Sequence, residues 1–336
     1  MTRSPALGLA PALLVLAGAC RSGPQDPGRG EPRPPVATRP SAEAVAFRKA
    51  TPAEKDLGDR ALAWVRKVVA LGPRVPGSEA RAKAADLVVA ELRRLGLEPV
   101  REPFTADGER LRFENVRCPI PGRSARVLIL ATHYDTKRSI TRGEDDDGAP
   151  FLGANDGGSG VGLLLALAAD LARLDEAARP SLELVFFDGE ESLDTAWNRA
   201  ERALFGSREF ARKHLVDGHR YGGMVLLDMV GHRRLSIDLD EASTAAMAAP
   251  VRAAAAALGY EDHFFRHKTR VEDDHVPLLA KGLPCLDLIQ FEDNPEWHTP
   301  KDDLAVLAPR SLAIVGRVLW RALPDLEAGY GGEGGR

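Results

Sequence analysis

Cysteine is scarce in this sequence, with three in 336 residues, and that excludes a disulfide framework as its source of stability. No long basic run occurs and the formal net charge is -4, so nucleic acid and anionic membrane surfaces are not expected partners. No internal repeat is evident, and the length suits one large domain or two small ones. The balance of 44% hydrophobic and 28% charged residues is ordinary for a globular chain.

The N-terminus reads as an export signal. Arg3 precedes an apolar stretch from about Ala6 to Ala19, too short to span a bilayer comfortably. Leu16-Ala17-Gly18-Ala19 leads into Cys20, which predicts removal of residues 1–19 and a lipid on Cys20. Ala17-Gly18-Ala19 also serves as an ordinary secretory cleavage site, so the expectation is a cell-envelope or periplasmic lipoprotein, or a secreted protein. Residues 20–44 carry Pro24, Pro27, Pro32, Pro34, Pro35 and Pro40 among Gly and charge. Such a segment buries little apolar surface and is expected to be a solvated linker. The lipid would be the only membrane contact. Cys118 and Cys285 lie in apolar, strand-like surroundings and read as buried free thiols.

From Pro52 onward, helical and strand patterns alternate. Apolar spacing predicts a helix over 54–71, stopped by Gly72-Pro73, and another from an N-cap at Ser78 to Leu95, closed by Gly96. Short strands are expected at 97–104 and 111–118. Four apolar runs follow, at 127–131, 182–187, 224–227 and 285–289, with helices near 157–174, 201–214 and 243–258 between them. A last helix is expected from Pro309 to Leu323. Apolar strands separated by helices predict an α/β fold: a single domain over residues 45–326, built on a mostly parallel twisted sheet with helices on both faces. Residues 327–336 read as a frayed tail, and the chain as a monomer.

In such a sheet, ligands bind beyond the carboxyl ends of the strands. The first apolar run leads to His133-Tyr134-Asp135, the second to Asp188-Gly189-Glu190-Glu191, the third to Asp228, and the fourth is followed by Trp297-His298. Asp156 follows the loop Gly153-Ala154-Asn155. His133, Asp156, Glu191, Asp228 and His298 are thus expected on one rim, and mixed imidazole and carboxylate donors suit zinc. Asp135, two residues from His133, is placed to orient its imidazole. Each residue alone has a plainer reading: Asp156 as a helix cap, Glu190-Glu191 as a surface pair, and His214, His219 and His232 as surface polar groups. The acidic loop from Arg142 to Gly148 lacks the spacing of a calcium site and reads as solvated.

Taken together, these motifs resemble the zinc aminopeptidase and glutaminyl cyclase superfamily, peptidase family M28, over about residues 52–325. The resemblance implies that His133, Asp156, Glu191, Asp228 and His298 occupy metal-ligand positions and Glu190 that of the general acid/base. It also implies that the substrate is the N-terminal end of a peptide or protein.

The two chemistries of the superfamily differ in the nucleophile. An aminopeptidase holds two zinc ions and delivers water. A cyclase holds one, and the substrate's own α-amino group attacks its γ-carboxamide, releasing ammonia. Phe186-Phe187-Asp188-Gly189-Glu190-Glu191 and Glu272-Asp273-Asp274-His275 resemble the cyclase forms, as do Trp297 before His298 and His133-Tyr134-Asp135-Thr136-Lys137. Trp197 falls where cyclases have a pocket tryptophan. The comparison gives Asp273 a catalytic part, hydrogen-bonded to Glu190, and makes Trp197, Trp297 and Lys137 substrate contacts. The run Gly153 to Gly160 is closer to the aminopeptidase form, and all five positions of a two-zinc site are present; a cyclase would use Asp156, Glu191 and His298. The expectation is a glutaminyl-peptide cyclotransferase making N-terminal pyroglutamate, with a two-zinc aminopeptidase as the alternative. A non-catalytic peptide-binding lipoprotein is disfavoured because neither ligands nor acid/base are lost.

Overall fold

The computed structural model describes residues 41–138, 150–194 and 200–330. The expected signal segment, Cys20 and Trp197 lie outside the described residues. The helices are α1 (Ala42–Lys49), α2 (Glu54–Val69), α3 (Glu79–Arg94), α4 (Gly158–Leu171), α5 (Phe205–His214), α6 (Ala245–Leu258), α7 (His275–Leu279) and α8 (Pro309–Tyr330). The strands are β1 (Val100–Thr105), β2 (Arg112–Ile120), β3 (Val127–His133), β4 (Leu182–Phe187), β5 (Tyr221–Asp228), β6 (Ile237–Asp240), β7 (Phe264–Thr269) and β8 (Cys285–Ile289).

The strands form one sheet in the order β1-β2-β4-β3-β5-β8-β6-β7. Its centre is parallel, β4-β3-β5-β8. The margins join it antiparallel, through β2 on β4 and β6 on β8. The sheet is therefore mixed at its edges and parallel where the four apolar runs lie. Successive side chains of a strand point to opposite faces, and β3 shows both faces covered. Leu128 and Leu130 join the core beneath α2, α3, α4, α6 and α8. Val127, Ile129 and Ala131 face a second core with Phe210 of α5 and Leu278 of α7.

Helix α4 is buried along nearly its whole length, and Gly160 explains how it comes so close to the sheet. A Cβ there would lie 2.0 Å from Thr132 Oγ1 and 2.5 Å from the Leu227 carbonyl. Cys118 and Cys285 are buried free thiols.

Several elements differ from expectation. Helix α1 starts inside the expected linker: Ser41 Oγ accepts from Ala44 N at 3.1 Å, and Phe47 stacks on Trp320 with ring centroids 4.6 Å apart. Helix α8 continues through Pro324 to Tyr330, because its apolar face extends through Leu323 and Leu326 into the core. That burial offsets the roughly 3 kcal/mol cost of an interior proline. Strands β6 and β7 had no counterpart in the sequence reading: β6 carries Asp238 and Asp240, and β7 exposes Arg266, His267 and Lys268.

Candidate metal centre

The parallel strands deliver their C-terminal residues to one place. His133 ends β3, Asp228 ends β5, and Glu190-Glu191 follow β4 after a turn at Gly189. Asp156 arrives on the turn into α4. It does not cap that helix, whose N-cap Gly157 has no side-chain cap bond; the cap expectation is replaced by a carboxylate turned into the site. Gly157 has φ 71°, and a Cβ on it would lie 2.9 Å from His133 Cε1. His298 itself sits at φ 52° and Met229, just after Asp228, at φ 49°. Such backbone is costly for non-glycine residues and is commonly retained where a side chain must be aimed.

Two groups of donors form, sharing Asp156: His133, Asp156 and Asp228, and Asp156, Glu191 and His298. In the first, His133 Nε2 is 3.2 Å from both Asp156 Oδ1 and Asp228 Oδ1. In the second, His298 Nε2 is 3.2 Å from Glu191 Oε1 and 3.5 Å from Asp156 Oδ2. Ligand bonds of about 2.0–2.2 Å in a tetrahedron leave edges near these lengths. On its other side His133 Nδ1 lies 3.5 Å from Asp135 Oδ1, the carboxylate–imidazole arrangement that fixes a metal-facing nitrogen. Asp135 also accepts the backbone N–H of Glu190 at 3.1 Å and of Glu191 at 3.3 Å, so one carboxylate orients three members of the site.

The electrostatics call for a cation. All five donors are buried. Burial and the charge of Glu191 push Asp156 up to about 6. Burial alone would lower His133, but Asp135, Asp156 and Asp228 push it well above the imidazole range. Burial works to raise Glu191, yet His298 and then Lys137 and His133 bring it down to about 2. Asp156 Oδ2 and Glu191 Oε2 are buried with no hydrogen-bond partner. The donor set thus fits zinc, since buried carboxylates without donors are costly unless a cation or proton neutralises them.

Glu190 stands beside these groups and is 6% exposed. Burial pushes its carboxyl well up, and Glu191, Asp273 and Asp274 add to this against the pull of His133. Burial, with Asp287 and Asp228 nearby, pushes the carboxyl of Asp273 well up in turn. The expected hydrogen bond is not formed, because Asp273 Oδ1 accepts from Asp274 N at 2.6 Å and Oδ2 has no hydrogen-bond partner. Lys137, 3% exposed, has its ammonium 3.7 Å from Glu191 Oε2, so its charge is directed at a metal-set carboxylate. Trp297 stacks on His298 with centroids 4.0 Å apart and meets Phe291 edge-on at 4.8 Å. It lines an open cavity of about 740 Å³ with Phe291 and Arg234. Contrary to expectation, His232 is fully buried: its Nδ1 is 3.3 Å from Gln290 Nε2, and its Nε2 3.3 Å from Glu296 Oε2.

Residues 115–323 match the model of peptidase family M28. The chain belongs to this family. Among M28-like relatives, a glutaminyl-peptide cyclotransferase-like protein of Bos taurus is 32% identical over 275 residues, covering 73% of this chain and 70% of the relative. A crystal structure of a glutaminyl cyclase from an Acidobacteriales bacterium superposes with a TM-score of 0.73 at 29% identity, over 89% of this chain and 99% of that one. A Zn-dependent exopeptidase from Parabacteroides distasonis superposes at 0.70 with 27% identity, over 81% of this chain and 97% of that one.

Two supports of this M28 site escaped the sequence reading. Asp302 accepts from Asn155 N at 2.8 Å and Asp156 N at 3.0 Å, and burial with the nearby Asp156 pushes it up to about 7. Arg74, wholly buried, donates to the carbonyls of Tyr134 at 2.8 Å, Leu152 at 2.7 Å and Gly153 at 2.9 Å. Burial pushes its guanidinium down to about 10, against the pull of Asp135, Asp156 and Asp302. Asp302 stands in an acidic pair after Thr299, a faint signal; Arg74 sits between Gly-Pro and Val-Pro and gave none.

Proposed function

We propose that this chain is a zinc-dependent glutaminyl-peptide cyclotransferase, converting N-terminal Gln of peptides to pyroglutamate with loss of ammonia. The observation that carries this is Glu190, buried at the metal centre with the carboxylate of Asp273 adding to its proton affinity, in a fold shared with glutaminyl cyclases. Zinc held by Asp156, Glu191 and His298 would polarise the γ-carbonyl of the substrate. In the reaction, the α-amino nitrogen bonds to the carbonyl carbon of the γ-carboxamide and the bond from that carbon to the amide nitrogen breaks. Glu190 takes a proton from the attacking nitrogen and gives one to the departing nitrogen, which leaves as ammonia. A group with a raised proton affinity suits that two-way transfer near neutral pH. Asp135 holds Glu190 in place through its backbone N–H. Trp297, stacked on His298, offers an apolar wall that keeps water from competing.

One observation favours a second reading. His133, Asp156 and Asp228 complete another donor group beside the first, as a two-zinc aminopeptidase would require. Purified protein assayed in parallel separates the two. Pyroglutamate formation from an N-terminal Gln substrate, with little amine released from aminoacyl anilides, is the expected result. Asp273→Ser is expected to lower kcat for cyclisation roughly 10–100-fold with KM little changed. A silent Asp273→Ser together with robust anilide turnover would favour the peptidase.

Export with a lipid on Cys20 is proposed on the sequence pattern. In fractionation, Cys20→Ser is expected to move the protein out of the membrane fraction or to stop its processing. Unchanged membrane association would point to another anchor.

A further inference from the structure

The segment after β5 touches both donor groups of the metal centre. It starts from Asp228, a donor of the first group, and runs to Gly231, whose N–H donates to Asn155 Oδ1 at 2.8 Å, next to Asp156. The following residues, His232 and Arg233, meet Glu296, two residues before His298. His298 is a donor of the second group and sits at φ 52°. A left-handed conformation is costly for a residue with a side chain, so the surrounding structure must hold it.

The hydrogen-bond pattern assigns the proton of the His232 ring. Two donors face Nδ1, Arg234 N at 3.3 Å and Gln290 Nε2 at 3.3 Å. The orientation of the Gln290 amide is itself fixed: Oε1 accepts from Ser236 N at 3.0 Å, and Nε2 donates to the carbonyls of Arg234 at 3.0 Å and Asp293 at 2.9 Å. The Arg234 carbonyl, 3.4 Å from Nδ1, is already taken by Gln290. Nδ1 is therefore the acceptor, and the proton lies on Nε2.

Nε2 in turn lies 3.3 Å from Glu296 Oε2, a little longer than an ordinary hydrogen bond. Among the described residues neither atom has another hydrogen-bond partner, and a buried N–H and a carboxylate oxygen both gain from the approach. Arg233 also reaches Glu296 Oε1 at 3.3 Å, but its side chain is 45% exposed, and a solvated pair contributes little. The His232 side chain is 0% exposed and that of Glu296 14%, so the His232 contact carries the larger share. Glu296 belongs to a tied turn: its carbonyl accepts from Thr299 N at 3.1 Å and Thr299 Oγ1 at 2.7 Å, and Trp297 N donates to Asn294 O at 3.2 Å.

We propose that His232 is a positioning residue of the metal centre: through Glu296 it holds the turn that aims His298 at the zinc position and stacks Trp297 on it. The role rests on the zinc reading of the donor set, which the cyclotransferase and the aminopeptidase share, and does not depend on which reaction the chain catalyses.

The test reads zinc affinity. The full chain is stripped of metal, and its zinc dissociation constant is measured by competition with a chelator beside His232→Leu, Glu296→Ala and the two combined. Each single substitution is expected to weaken binding about tenfold. The pair is expected to weaken it little more than the larger single effect, because both break one contact. His232→Gln, whose amide nitrogen can stand in for Nε2, is expected to recover most of the affinity. An unchanged dissociation constant in either folded single variant overturns the role, and so do effects that multiply in the pair. A metal-free chain that melts lower while zinc affinity is kept makes His232 a structural residue only. Should His232→Leu fail to fold, Glu296→Ala, on the turn itself, decides by the same affinity criterion. An unsubstituted chain that binds no zinc overturns the zinc reading of the centre, and this role with it.

Discussion

Glu190→Gln is expected to reduce kcat for pyroglutamate formation on the order of a hundredfold or more, with bound zinc near its unsubstituted level. The substitution keeps size and burial but removes the group that accepts and returns the proton. Glu190 is absent from both donor groups that share Asp156, and its neighbour Glu191 lies 3.2 Å from His298 Nε2. Metal content therefore distinguishes the two acids. A Glu190→Gln protein that has lost its zinc would mean that the roles of Glu190 and Glu191 are exchanged.

Removing metal with a chelator is expected to bring activity to background, and zinc to restore it. Three carboxylates and two imidazoles, each at most 7% exposed, converge in the two groups. Without a cation the carboxylates repel one another in a medium that screens poorly. Full activity in a sample shown by elemental analysis to be free of metal would rule out a metal role in the reaction.

The parts of the fold legible in the sequence were those with a strong period. The four strands buried on both faces read as unbroken apolar runs, and α2 and α3 as amphipathic helices with a recognisable stop or cap. The metal donors were legible for a related reason. His133 and Asp228 end apolar strands, Glu190-Glu191 follow one within four residues, and charge beside such runs needs a purpose. Where burial is achieved by partners distant in sequence, the pattern was silent. Asp238 and Asp240 made β6 look like a loop, although both are buried. The approach of His275 to Asp240 and Asp287 depends on the order of β8, β6 and β7 in the sheet, which a single sequence does not specify. Asp287 itself left a trace, as a charge inside the apolar run from Cys285 to Ile289. The family pattern led to the expectation of a hydrogen bond from Asp273 to Glu190; its absence depends on backbone geometry, since Asp273 Oδ1 is taken by Asp274 N.

Arg74 makes distant parts of the chain depend on one another. Among the described residues, its guanidinium donates to carbonyls 60, 78 and 79 residues further along the chain. A nascent chain that buried this arginine with any of those segments missing would bear the desolvation of a charge with too few acceptors. The loop at residues 72–77 and the segment preceding α4 therefore stabilise one another, and loss of either leaves a buried charge short of acceptors.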